Sequence, residues 1–169
     1  MEAPCVIVVM GVSGSGKTAV GQHLADQLGW QFRDADEFHP AANVAKMSAG
    51  IPLVDADRWP WLDNLAAAIG EALARRDGGL VIACSALARR YRERMGLGRT
   101  GVRVVFLDGP AELIRARLEA RRNHFMPASL LTSQLAILER PTPDERPITV
   151  GIEASPEEIV ARIVAALRE

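Results

Sequence analysis

Lysine, cysteine, net charge and long apolar runs are all scarce in this chain, and each shortage removes a class of protein. Net charge over the 169 residues is -1, from 20 basic and 21 acidic side chains, so the basic footprint of a nucleic-acid binder is missing and no nucleic-acid partner is expected. The two cysteines, Cys5 and Cys84, each lie inside an apolar run. They read as small buried hydrophobes in a reducing compartment, not as a disulfide framework. The apolar run Val6 to Met10 is far shorter than the roughly 20 residues that span a bilayer, and no charged region precedes it. A cytoplasmic protein without a membrane partner is the expectation. Internal repeats, low-complexity tracts and linker-like stretches are also missing.

What is present is an ordinary globular composition, 49% hydrophobic and 24% charged, at a length that suits one domain over residues 1–169. Lys17 and Lys46 are the two lysines, so almost all positive charge is arginine. Ten arginines lie between Arg89 and Arg122, against the four acids Glu93, Asp108, Glu112 and Glu119. Solvated helix faces account for some of them; others suit phosphate, which the planar guanidinium fork recognises well.

Short β-branched runs alternate with longer helical patterns, the sequence form of an α/β protein. Strands are expected over Cys5–Met10, Gln31–Asp34, Leu80–Cys84, Val102–Leu107 and Ile148–Gly151. Helices are expected over Lys17–Leu28, Ala41–Ser48, Arg58–Arg76, Ala86–Met95, Ala111–Arg122, Ala128–Glu139 and Pro156–Arg168. Three of the strands lack a period of two, as expected when helices cover both faces of a parallel sheet. A three-layer α/β/α fold around a five-stranded parallel sheet follows.

The strongest motif is Gly11-Val12-Ser13-Gly14-Ser15-Gly16-Lys17-Thr18. It matches G-x-x-x-x-G-K-S/T in full, after a β-rich run and before a helical pattern. Its glycines let successive N–H groups curl around one anion, at a helix start whose free N–H groups favour phosphate oxygens. Gly11, Ser13, Gly14, Ser15, Gly16, Lys17 and Thr18 are the candidate ATP contacts. Lys17 reaches the β- and γ-phosphates and the Thr18 hydroxyl can ligate Mg²⁺. The spacing does not suit a dinucleotide loop. No N-K-x-D guanine motif is present, so a GTPase is disfavoured.

Asp34-Ala35-Asp36 closes the second expected strand. Alternation would put both carboxylates on one side, about 7 Å apart, at the edge facing the phosphate loop. By analogy with shikimate and nucleoside-monophosphate kinases, Asp34 is assigned to Mg²⁺ and Asp36 to the proton of an attacking hydroxyl. Beyond them run His39-Pro40, Asn43, Lys46-Met47, Gly50, Pro52-Leu53, Asp55, Asp57-Arg58 and Pro60-Trp61-Leu62. Together with Asp34 and Asp36 this block resembles the gluconokinase pattern D-x-D-x-x-H-P-x-x-N-x-x-K-M-x-x-G-x-P-L-x-D-x-D-R-x-P-W-L over almost thirty residues. Cys84-Ser85-Ala86-Leu87 with Tyr91-Arg92, His124-Phe125 and Ser133-Gln134 extend the resemblance over nearly the whole chain.

The resemblance implies ATP- and Mg²⁺-dependent phosphorylation of D-gluconate at its 6-hydroxyl, giving 6-phosphogluconate for the pentose phosphate pathway, by a homodimeric enzyme. The residues suit that acceptor. Arg58 can fork onto its carboxylate, with Arg90 and Arg92 as further candidates. His39, Asn43, Trp61 and His124 are expected around its hydroxyls. Lys46 reads equally well as an anion contact or as a solvated side chain. Related kinases carry a lid after the helix corresponding to Ala111–Arg122, here about residues 121–140, and Arg121 is the candidate that meets the transferring phosphate. Adenine is expected between the lid helix and the loop from Gly151 to Pro156. The rival readings are another acceptor, such as shikimate or a nucleotide, and a nucleotide-binding module without turnover.

Overall fold

A computed structural model describes residues 3–75, 78–120 and 128–169, without the side chains of residues 128–130. Five parallel strands, β1 (Val6–Met10), β2 (Gln31–Asp34), β3 (Leu80–Ala83), β4 (Val102–Asp108) and β5 (Ile148–Gly151), lie in the order β2-β3-β1-β4-β5. Seven described helices connect and flank them: α1 (Lys17–Leu28), α2 (Ala41–Ser48), α3 (Asp55–Arg75), α4 (Arg89–Met95), α5 (Ala111–Ala120), α6 (Ala128–Ile137) and α7 (Pro156–Leu167).

The central strand shows why its sequence carries no alternation. Every residue of β1 is buried, yet the strand still has two faces. Ile7 and Val9 join a core with Val20 and Leu24 of α1, Ile114 and Leu118 of α5 and Ile159 and Ile163 of α7. Val6, Val8 and Met10 join another with Leu62, Leu65 and Ile69 of α3 and Tyr91 and Met95 of α4. Apolar side chains therefore serve both faces, and helices cover the sheet on either side. The register Val9↔Ala83 and Met10↔Phe106 brings the carboxyl ends of β1, β3 and β4 to one edge, where the loops that bear function leave the sheet.

Two helix starts differ from the sequence expectation. α3 begins at Asp55, a turn before Arg58, because Asp57 reaches back to accept from the Val54 N–H at 3.0 Å, an acidic cap at the third helical position. Pro60, the sixth residue, is held inside the helix, where it cannot donate to the Ala56 carbonyl. α4 begins at Arg89 and not at Ala86, because Ala86 has a left-handed backbone (φ 46°) that no helix interior accepts.

Arg92 maintains that kink. It was expected near substrate, but its side chain is 2% exposed and committed to partners within the protein. Its Nη1 donates to the carbonyls of Ala86 at 2.8 Å and Leu87 at 3.2 Å. Its Nε donates to Glu145 at 2.6 Å and its Nη2 at 3.3 Å. Burial is the largest influence on the Glu145 carboxyl and raises its pKa, but the bonds from Arg92 and the Thr142 N–H together hold it below the ordinary value. Glu145→Ala would strand a buried guanidinium. The expected cost is about 3 kcal/mol of stability in denaturant unfolding, the lower end for breaking such a pair, because the Glu145 side chain keeps 14% exposure.

Candidate active site

The turn between β1 and α1 ends on two glycines in left-handed conformations, Gly14 (φ 86°) and Gly16 (φ 96°). A Cβ at Gly14 would stand 2.7 Å from Leu118 Cγ, so that position needs glycine for space as well as for backbone. Gly16 is the N-cap of α1 and supplies no side-chain cap, which leaves the helix start to an outside acceptor. The Ser15 hydroxyl is buried and has no hydrogen-bond partner among the described residues. An orphaned hydroxyl beside an uncapped helix start suits a phosphate. The Lys17 ammonium folds back onto the carbonyls of Gly11 at 2.9 Å and Val12 at 3.1 Å.

This turn forms one wall of a cleft of about 480 Å³. Ser13, Gly14, Gly16, Lys17 and Thr18 line it on one side, and Asp34, Ala35, Asp36 and Trp61 on the other. Ala83, Cys84 and Ser85 at the end of β3 form its floor, and Gln134 of α6 reaches in from a further side. Burial pushes the Cys84 thiol up to about 12, so the cleft offers no thiolate.

The two aspartates do not alternate along a strand as expected. Ala35–Phe38 is a 3₁₀ turn, and the Asp34 carboxylate caps it by accepting from the Asp36 N–H at 2.9 Å. Glu37 closes the cap by accepting from the Asp34 N–H at 2.8 Å. The Asp36 side chain lines the cleft but is 86% exposed, so water screens the influences on its carboxyl. Burial and then the charge of Asp34 raise its pKa, while His39 and Lys17 oppose them.

A brace stands behind this wall. His39 stacks on Trp61 with ring centroids 4.4 Å apart, and Trp61 Nε1 donates to the Ala35 carbonyl at 2.7 Å. Asn43 Nδ2 donates to the Asp57 carbonyl at 2.8 Å and meets His39 Nδ1 at 3.2 Å. A carbonyl only accepts, so this fixes the amide orientation and makes His39 Nδ1 the acceptor. His39 Nε2 then carries the proton and faces the Asp36 carboxylate, 3.9 Å away. Burial lowers the His39 pKa, with Asp36 opposing and Arg58 assisting. Asn43 was expected to meet substrate hydroxyls; it is 3% exposed and holds His39 and the Asp57 carbonyl instead. Lys46 pairs with Asp57 at 2.7 Å.

Arg58 and Arg90 converge on Asp55 and Tyr91, outside the residues that line the cleft. Arg58 Nη1 donates to Asp55 and to the Tyr91 hydroxyl, both at 3.1 Å. Arg90 Nε donates to Asp55 at 2.9 Å, and the Tyr91 hydroxyl donates to Asp55 at 2.6 Å. Glu139 stands 3.7 Å from Arg90 Nη1, so the two guanidiniums face two carboxylates, and the Nε and Nη2 donors of Arg58 take no part in its bonds to Asp55 and Tyr91. Asp55, Tyr91, Ser85 and Gln134 entered the sequence reading only as members of the family pattern, with no role of their own. Their signals are weak there: an acid near an arginine, a lone tyrosine, a serine after a strand and a neutral amide among other small polar residues of a helix. Arg121 and His124 lie outside the described residues. Arg117 donates to the Ile152 carbonyl at 2.5 Å, which ties α5 to the loop where adenine is expected.

Comparison with known proteins bears on this arrangement. The family model described as shikimate kinase matches residues 13–168. A gluconokinase of Gluconobacter oxydans is 46% identical over 161 residues, covering 95% of this chain and 90% of its own. The chain belongs to the gluconokinase family. The crystal structure of a gluconokinase from Sinorhizobium meliloti, 46% identical, superposes with a TM-score of 0.84 over 99% of this chain and 94% of that one. A shikimate kinase from Aquifex aeolicus, 21% identical, covers 96% of both chains with a TM-score of 0.56, a likeness of fold alone. The fold is therefore that of the P-loop kinases, and this chain stands on the gluconokinase side of it. It is a kinase.

The pKa of Asp55 yields a prediction. Hydrogen bonds from Arg90 and then Tyr91 hold its carboxyl from 3.8 down to about 2. A depressed acid contributes stability above its unfolded value and loses it as pH falls through the folded one. The stability gap between the parent and Asp55→Asn should be full above about pH 4 and close as pH falls toward about 2. Acid titration of both proteins by circular dichroism measures it.

Proposed function

We propose that this enzyme transfers the γ-phosphoryl group of ATP to the 6-hydroxyl of D-gluconate, and the observation that carries the reading is the shared cleft of Lys17 and Asp36. The family relationship supports the acceptor. In this reading the amide turn from Gly11 to Thr18 cradles the phosphates and Lys17 leaves the carbonyls of Gly11 and Val12 for the β- and γ-phosphates. Asp36 accepts the hydroxyl proton; its raised pKa suits a base that must hold that proton through transfer. His39, backed by Asn43, orients the Asp36 carboxylate, and Trp61 walls the acceptor. Arg58 and Arg90 take the gluconate carboxylate, and the Nε and Nη2 donors of Arg58 that its bonds to Asp55 and Tyr91 leave out support that assignment.

Mg²⁺, when bound, would neutralise charge building on the phosphate oxygens. Thr18 would ligate it directly and Asp34 through water, a sparse protein contribution that suits an ion held mainly by phosphates and water. The described residues contain no cluster of three or more metal-ligating side chains, in keeping with that division. Arg121 and His124 keep their proposed places at the transferring phosphate and the acceptor, within a lid near residues 121–140. A single kinase domain over 1–169 fits two cores built on one sheet. Cytoplasmic ATP supports the cytoplasm as the place of action. The homodimer implied by the family stays part of this proposal; light scattering that returned a mass near 18.3 kDa would overturn it.

Coupled ADP release over a panel of gluconate, shikimate and nucleoside monophosphates tests the reading. Turnover on gluconate is expected, and none on that acid alongside turnover on another acceptor would sink it. Asp36→Asn should lower kcat about 10²- to 10⁴-fold with ATP affinity little changed; equal loss of both would remove Asp36 from proton transfer. Lys17→Ala should remove about 3–4 kcal/mol of transition-state stabilisation, the scale of a lost electrostatic donor. Near-parental turnover of that variant would refute the role.

A further inference from the structure

The third residue of the phosphate loop is already engaged by the protein. The Ser13 N–H donates to Gln134 Oε1 at 2.7 Å, and Gln134 Nε2 donates to the Ser13 hydroxyl at 3.1 Å. The Ser13 N–H can only donate, so the atom facing it is the carboxamide oxygen, and the amide orientation is fixed. The contact joins residues 121 apart in sequence. It is made from α6 into the cleft that Lys17, Thr18 and Asp36 line. The Val12–Ser13 peptide thus accepts from Lys17 at its carbonyl and donates to Gln134 at its N–H. The same peptide group carries the lysine that meets the outer phosphates and the glutamine.

We propose that Gln134 is a ligand of the terminal phosphate of ATP: its oxygen holds the Ser13 N–H before nucleotide arrives, and its Nε2–H donates to the γ-phosphoryl group afterwards. The inference rests on the kinase reading but not on gluconate. A carboxamide suits both states because it carries an acceptor and a donor at the same reach. The neutral oxygen stands in for a phosphate oxygen on a backbone donor that would otherwise go unpaired at the cleft. When the phosphate takes that donor, the amide turns its N–H toward the new anion. The exchange trades a neutral hydrogen bond for one to a charged acceptor, and the second is the stronger. Gln134 therefore favours ATP over ADP, which has no γ-phosphoryl group for the amide to meet. Its charge neutrality matters as well, since a carboxylate at this position would repel the same group.

Calorimetric binding without any acceptor separates this inference from the gluconate assignment. Gln134→Leu should weaken a β,γ-non-hydrolysable ATP analogue about tenfold or more while ADP stays within about twofold. Gln134→Glu should weaken the ATP analogue further still. Thermal unfolding without nucleotide monitors folding, and Gln134→Met, which keeps the stem's length, repeats the comparison if the leucine variant unfolds. Parallel loss of both nucleotides, no change in either, or tighter ATP binding by Gln134→Leu would each overturn the assignment. Tighter binding would make the amide a plug that ATP must displace.

Discussion

A helix start that no side chain caps needs an acceptor from outside the helix, and the turn from β1 into α1 ends on such a start. Gly14 and Gly16 adopt left-handed backbones there, the helix start has no side-chain cap, and Ser15 holds a buried hydroxyl without a partner among the described residues. Such a turn is stable only where its surroundings fix it. Here β1 is wholly buried between two cores, and Leu118 of α5 packs where a Gly14 side chain would stand. The rigid strand sets the origin of the turn, and the missing acceptors set the kind of ligand that completes it. That constraint places the β3 floor, the Asp34–Asp36 wall and the Gln134 contact around one volume.

The acceptor side is built by relay. Asn43 is anchored on the Asp57 carbonyl and meets His39, which stacks on Trp61, and Trp61 is bonded to the Ala35 carbonyl between the two aspartates. No member of this relay moves alone, so the wall keeps its shape without touching the reacting atoms at every point. Arg92 does the same for the floor, since the carbonyls it grips belong to the segment that follows Ser85. Much of the sequence pattern shared within the family therefore serves support rather than contact.

β1, β3 and β4 were legible because buried parallel strands are runs of β-branched residues bounded by glycine and polar turns; β2, a half-exposed Gln-Phe-Arg-Asp, and β5 also match their expected spans residue for residue. The phosphate turn was legible because its geometry demands glycine and lysine at fixed spacing. The site's finer logic was less so. Asn43 and Arg92 read as ligands because sequence gives donor type and not burial, and both turned out to have their donors satisfied inside the protein. The expected alternation of Asp34 and Asp36 failed because a local cap converts the strand end into a 3₁₀ turn. Ala86 hides its left-handed backbone behind a residue that normally favours helix. Gln134 carries no charge and follows the polar Thr132 and Ser133 on its helix, so only its three-dimensional partner reveals it.

One feature of the floor bears on how the cleft meets reactive chemistry. Cys84 forms part of its lining, yet burial keeps the thiol protonated well beyond neutral pH. A protonated sulfur is a poor nucleophile, so it neither competes with an alcohol for an activated phosphoryl group nor captures electrophiles that wander in. Oxidants and alkylating agents should pass this catalytic cleft without leaving a mark on it, and a covalent inhibitor would have to find its anchor elsewhere on the molecule.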